Sequence, residues 1–227
     1  MSCRCGIGQG TRNCLLSSNG PIGFEFRTLD VANFGVPQQR RRLFILCDRK
    51  CDPPDLSGQV FRRPPTVLDV LDLGGTWPTK PLFAPERAKP TLDRARRAIK
   101  ALGEGIPFLI VYYGNDGAGG WQILDRSLRT VTTVDRFGLV EWGPNAPTLR
   151  MLQVPELKRA MGFGNSFCMR HGWRRDKIKM LGNAVSPPVV TEILQQLCGD
   201  ALKSPEKLLP LRQAVRSDLG LLDKSAA

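Results

Sequence analysis

Apolar positions along the chain change their spacing several times, and each change predicts a different element. In "FEFRTLDV" (24–31) apolar and polar residues alternate, which puts Phe24 and Phe26 on one face of a strand. "RRLFILC" follows, and its unbroken apolar run Leu43–Cys47 predicts a neighbouring strand covered on both faces. Between them "ANFGVPQQ" carries the Gly and Pro of a turn. Residues 51 to about 90 are proline-rich and without period, so they predict loop with one helical turn near Val67 to Leu71. A basic helix is expected over 91–102, a strand over 107–114, and a Thr-, Val- and aromatic-rich antiparallel unit over 128–142. The last third turns helical. "VPELKRAMG" (154–162) has Pro155 in a first turn and Gly162 at a stop, and the helix opening at Pro187-Pro188 spaces Val189, Val190, Ile193, Leu194 and Leu197 as a core-facing stripe.

Charge narrows the picture. The formal net charge of +12 marks a polyanion binder, because Lys and Arg displace the counterions condensed on a phosphate backbone. No long basic amphipathic helix with an aromatic face appears, so nucleic acid is preferred to a membrane surface. No apolar stretch approaches the roughly 18 residues of a membrane span, and "MSCRCGIGQGTRN" lacks a signal-peptide core. These features place the chain in the cytoplasm or with DNA, in a nucleoid or nucleus.

Seven cysteines, at 3, 5, 14, 47, 51, 168 and 198, lack the density of a secreted disulfide scaffold and read as thiols. Cys3-x-Cys5 and Cys47-x3-Cys51 miss the spacing of a zinc finger, so no metal is expected. The glycines of "GIGQG" have no strand before them and no periodic helix after, which makes residues 1–20 an irregular lead-in. The tail after about residue 203 is polar and basic, and is expected to fray.

Two motifs can carry chemistry, and each has a plain alternative. Arg40, Arg41 and Arg42 deliver three like charges to the edge of an apolar strand; they serve either as solvated gatekeepers against aggregation or as fixed charges facing a ligand. Gly182-Asn183 reads as a turn before the proline-started helix, either a simple cap or a set of amides at a positive helix end suited to a carboxylate. Tyr112 and Tyr113, before the glycine-rich "GNDGAGG", are stackers or core, with core expected for at least one.

Three segments together resemble the C-terminal part of the DNA cytosine-5 methyltransferase family. "FGVPQQRRRLFILC" is similar to its Gln-x-Arg-x-Arg motif, "LRMLQVPELKRAMGF" to the motif whose helix supports the DNA-recognition region, and "KIKMLGNAVSPPVV" to its last motif. The resemblance spans roughly residues 22 to 200. It implies an α/β fold: an incomplete Rossmann-like sheet from 21–50 and 150–203, with an inserted, mostly β target-recognition domain over 51–149 and a flexible tail over 204–227. It implies double-stranded DNA as partner and S-adenosylmethionine as cofactor, with Asn183, Ala184 and Val185 in part of the cofactor site. Arg42 then reaches the cytosine carbonyl oxygen, Arg40 supports the pocket and backbone, Arg41 is dispensable, and Gln38 orders the loop. Thr130, Val131 and Thr132 lie near the flipped base, though β-propensity alone also accounts for them.

The family's Pro-Cys nucleophile and its other upstream motifs have no counterpart in the 33 residues before "FGVPQQ", and no cysteine follows a proline. Attack on a cytosine ring needs an activated thiolate. The isolated chain is therefore expected to be inactive, as one polypeptide of a split enzyme whose partner carries the N-terminal motifs. The alternatives are an inactive truncated remnant and a noncatalytic DNA-binding module.

Overall fold

The computed structural model describes residues 13–17, 20–48, 65–114 and 119–202. "GIGQG", Cys3, Cys5, Cys51, the middle of "GNDGAGG" and the tail beyond 202 lie outside the described residues. The chain is a mixed α/β protein that divides into two compact units, one of Met1–Arg27, Phe44–Leu56 and Val190–Ala227, the other of Thr28–Leu43 and Ser57–Val189.

Strands β1 (Asn13–Ser17), β2 (Gly20–Asp30) and β3 (Arg41–Asp48) form a three-stranded sheet in that order. β1 and β2 are an antiparallel hairpin running from Asn13↔Phe24 to Ser17↔Gly20, which corrects the irregular lead-in expected over 1–20 at Asn13–Ser17. Phe24 and Phe26 share a face as expected and meet edge to face, with ring centroids 5.4 Å apart. β3 departs from expectation. Leu46 is buried, but Leu43 and Ile45 are 61% and 57% exposed and Cys47 is exposed, so the apolar run is covered on one face only. The α4 stripe also departs in part: Val189 and Ile193 are buried whereas Leu194 is exposed.

The larger unit is built on a five-stranded antiparallel sheet of order β4-β8-β7-β5-β6, from β4 (Lys80–Pro81), β5 (Phe108–Val111), β6 (Trp121–Ile123), β7 (Phe137–Trp142) and β8 (Pro147–Met151). Strand alternation splits its side chains between two cores. Phe108, Ile110 and Val140 pack with Ala95 and Ala98 of helix α1 (Lys89–Leu102), the basic helix predicted. Leu109, Val111, Phe137 and Leu139 pack with Leu157, Ala160 and Met161 at α2 (Val154–Ala160), and with Ile178 and Leu181 of α3 (Arg174–Asn183). The sheet is thus a filled layer between helices. That second core also takes in Val67 and Val70 from the predicted helical turn, a 3-10 segment over Val67–Val70.

Two further expectations are corrected. The antiparallel unit expected over 128–142 is a strand only from Phe137; before it the chain runs irregularly from a single parallel bridge at Gln38↔Leu128. Those residues spend their backbone groups on the loop of Gln38 to Arg40 and not on a ladder. Gly182 and Asn183 form no turn but close α3, a helix whose few apolar residues gave it little periodic signal. α4 (Pro187–Leu202) begins at its paired prolines as predicted.

Candidate functional site

The arginine motif is shaped by the loop in front of it. Asp30 caps the 3-10 turn Val31–Phe34 by accepting from Ala32 N, and the same oxygen accepts Arg40 N at 3.0 Å. Val31 N donates back to Arg40 O at 3.1 Å, so the ten-residue excursion is closed at its neck, and Gly35 makes the bend at φ +74°. Gln38 is fully buried. Its amide nitrogen donates to Ala160 O and contacts Met161 Sδ, and its amide oxygen accepts Val131 N at 3.4 Å. Thr130 Oγ1 donates to Gln39 O at 2.8 Å. This loop therefore carries residues 130 and 131 on one side and the end of α2 on the other.

Arg40 turns inward and is only 4% exposed. Its guanidinium donates to three backbone carbonyls: Val131 O at 2.9 Å, Gly182 O at 2.8 Å and Ala184 O at 3.2 Å. Only a planar group with a fork of donors joins three segments in this way. Burial, aided by the neighbouring positive charge of Arg42, draws its pKa down to about 10, so it stays cationic at neutral pH. Alternation along a strand puts residues 40 and 42 on one face and 41 on the other. That is corrected: Arg40 precedes the strand and is interior, while Arg41 and Arg42 are both exposed, with Arg42 Nη1 donating to Arg41 O at 2.7 Å.

The carbonyls to which Arg40 donates explain the end of α3. A helix C-terminus is the negative end of the dipole and leaves carbonyls without partners, so it takes a cation. Of the two readings of Gly182-Asn183, the end of a helix is the one seen, with the Gly182 carbonyl turned to Arg40; Pro187 and Pro188 at the start of α4 have no N–H to offer. Glycine is required at 182 for another reason. A Cβ there would sit 2.4 Å from the Thr132 carbonyl carbon and oxygen, so the 131–133 segment lies directly on the helix. Sequence reasoning missed this contact.

The structure thus brings Arg40, Val131, Gly182 and Ala184 together, with Thr130 tied in through Gln39. Val131 is buried, Thr130 and Thr132 are half-buried, and Thr132 Oγ1 donates to Val134 O at 2.9 Å. Asn183 and Val185 are exposed and Ala184 is half-buried. Tyr113 is half-buried against the core; its hydroxyl donates to Thr130 O at 3.0 Å, and burial pushes its pKa up to about 12. Beside Thr130 a cleft of about 340 Å³ is lined by Gln39, Trp121, Gln122, Arg126 and Arg129 among others. Among the described residues no group of three or more His, Cys, Asp or Glu is placed to hold a metal ion.

A second arginine knot fixes the start of α2. Arg150 and Glu156 are buried and meet through two bonds of 2.8 Å, and the carboxylate also accepts Gln153 N and Asp72 N. Arg159 reaches Val70 O and Asp72 Oδ1, and this bond, ahead of a smaller one from Trp77, holds the Asp72 carboxyl below its ordinary range. Sequence reasoning missed both Arg150 and Glu156; the signal that could have found Glu156 is an acid three residues after a helix cap.

The sequence model of the family described as C-5 cytosine-specific DNA methylase matches residues 84–199. The chain belongs to that family. Among solved structures it is similar to the methyltransferase EhMeth of Entamoeba histolytica, with TM-score 0.47, 13% identity, and coverage of 79% of this chain and 54% of that one. It is also similar to the Dnmt2 methyltransferase of S. pombe, with TM-score 0.47, 14% identity, and coverage of 79% and 58%. The chain therefore spans a little over half the length of these proteins. No curated protein matches it. No described helix is long and apolar enough to cross a membrane.

Proposed function

We propose that this chain is the C-terminal part of a DNA cytosine-5 methyltransferase that acts on double-stranded DNA. Residues 51–149 serve as target-recognition domain, and 21–50 with 150–203 serve as partial catalytic elements. The observation that carries this reading is the Arg40 knot, in which one guanidinium joins the arginine motif, the Thr130–Thr132 segment and the last-motif residues Gly182 and Ala184. Two of the stretches that resemble the family in sequence, and the segment the resemblance sets near the flipped base, meet at one buried cation. Arg40 then acts as the fixed support, and exposed Arg42 is the charged donor for the carbonyl oxygen of an extruded cytosine, where negative charge builds up during reaction.

S-adenosylmethionine is the methyl donor that this reading requires. The exposed Asn183 amide beside exposed Val185 fits one polar and one apolar edge of such a molecule. The rest of that site, and the Pro-Cys nucleophile, fall to a partner polypeptide carrying the N-terminal motifs. The uncovered apolar face of Leu43 and Ile45 supports such a partner, because it is the kind of surface an additional layer of a Rossmann-like sheet covers.

The test is methyl transfer to duplex DNA by a complex reconstituted with a nucleophile-bearing partner. Arg42→Ala is expected to lose on the order of 10²-fold, as when one preorganised donor is removed. Arg41→Ala is expected to be nearly silent, and Arg40→Ala to weaken both activity and DNA binding. Equal activity of the Arg41 and Arg42 variants sinks the assignment. Selective duplex binding without transfer, even with the partner supplied, marks a noncatalytic module instead.

A further inference from the structure

A groove of about 600 Å³ opens between the segment around Trp77, the start of α2 and the loop that leads into α3. Lys158, Arg170, Arg174 and Lys177 line it, and no carboxylate does. Two of these cations are engaged: Lys158 Nζ donates to Phe167 O at 3.0 Å, and Arg174 donates to Leu152 O and pairs with Asp135. Arg170 and Lys177 make no ion pair among the described residues.

The same groove carries two aromatic rings that are fixed in advance. The Trp77 indole N–H donates to Asp72 Oδ2 at 3.0 Å, and Asp72 is itself gripped by Arg159 at 2.6 Å. Phe167 stacks on Phe163, with centroids 4.5 Å apart and an interplanar angle of 27°, yet remains 40% exposed. Next to Arg174, Trp173 is 84% exposed. Val154, Pro155 and Met169 complete an apolar floor.

Cations alone attract any polyanion, so the rings decide between ligands. An acidic peptide leaves two anchored aromatic faces unused, and a duplex keeps its base faces hidden in the stack. A single strand offers both planar rings and phosphates at short intervals. We propose that this groove binds single-stranded nucleic acid, with unstacked bases against Phe167 and Trp77 and phosphates on Arg170 and Lys177. The inference stands apart from the methyl-transfer reading, since it uses no residue of the Arg40 knot.

The test titrates the full chain with a fluorescein-labelled oligothymidine of about ten nucleotides, within the site sizes of known single-strand binders, at several salt concentrations. Arg170→Glu/Lys177→Glu is expected to bind at least about tenfold more weakly, with a logarithmic salt slope shallower by about 1.4, the value for two lost phosphate contacts on a single strand. Phe167→Ala is expected to lose about fivefold or more at an unchanged slope, and Phe167→Trp to retain binding, which separates loss of the stacking face from loss of the fold. Unchanged affinity in the charge reversal or in Phe167→Ala overturns the proposal. So does displacement of the oligonucleotide by polyglutamate as readily as by unlabelled oligothymidine, which points to an acidic protein as occupant.

Discussion

Two unbroken apolar runs, Phe108–Val111 in β5 and Leu43–Cys47 in β3, read alike along the chain and meet different surroundings. In β5 every residue is fully buried, because α1 covers one face while α2 and α3 cover the other. In β3 only Leu46 is buried, and the odd-numbered positions face water. A continuous apolar run records that both faces suit a dry environment. Whether they obtain one depends on how many layers the same unit supplies, and this chain supplies two to β5.

The contrast can be broken most directly by truncation in the filled layer. Ile110→Ala is expected to cost about 2–5 kcal/mol in urea unfolding followed by circular dichroism, since the cavity opens beneath helix α1 with paired strands on both flanks. Leu46→Ala, on the covered face of β3, is expected near the lower end of that range, about 2 kcal/mol. On the open face the effect should nearly vanish: Leu43→Ala and Ile45→Ala are each expected within about 0.5 kcal/mol. Replacing both with Lys should leave stability similar and keep the protein monomeric to higher concentration in sedimentation velocity, because an exposed apolar stripe invites association. A loss of several kcal/mol from Ile45→Ala would show that β3 is covered after all.

Legibility in the sequence followed the same physics. Elements announced by local signals were readable: the basic helix expected over 91–102 and found over 89–102, the prolines opening α2 and α4, and the strand expected over 107–114 and found over 108–111. α3 was missed because "RRDKIKMLGN" buries only Ile178, Leu181 and Gly182 and shows little apolar rhythm, although Asp176 accepting Trp173 N is a helix-start signal of the readable kind. The antiparallel unit expected over 128–142 failed in its first part because β-propensity describes fit to a pleated surface, and here Thr130 and Val131 are claimed by Gln39, Gln38 and Arg40. Nothing local distinguishes Arg40 from its two neighbours. Its inward turn depends on carbonyls far away in the chain, as does the burial of Arg150 against Glu156 on the amide of Asp72.

That distance sets a clock on the ribosome. Arg40 finds its carbonyls 91 and 142 residues downstream. At ordinary synthesis rates of about 5–20 residues per second, roughly seven to thirty seconds pass between the emergence of Arg40 and that of Gly182. Throughout that interval the arginine motif, already translated, has no acceptor at the end of α3, and the 131–133 segment has no glycine surface to lie on. The knot is therefore among the last parts of the larger unit to close, and a ribosome stalled before Gly182 is made holds a nascent chain in which the arginine motif, the 131–133 segment and the end of α3 have not yet met.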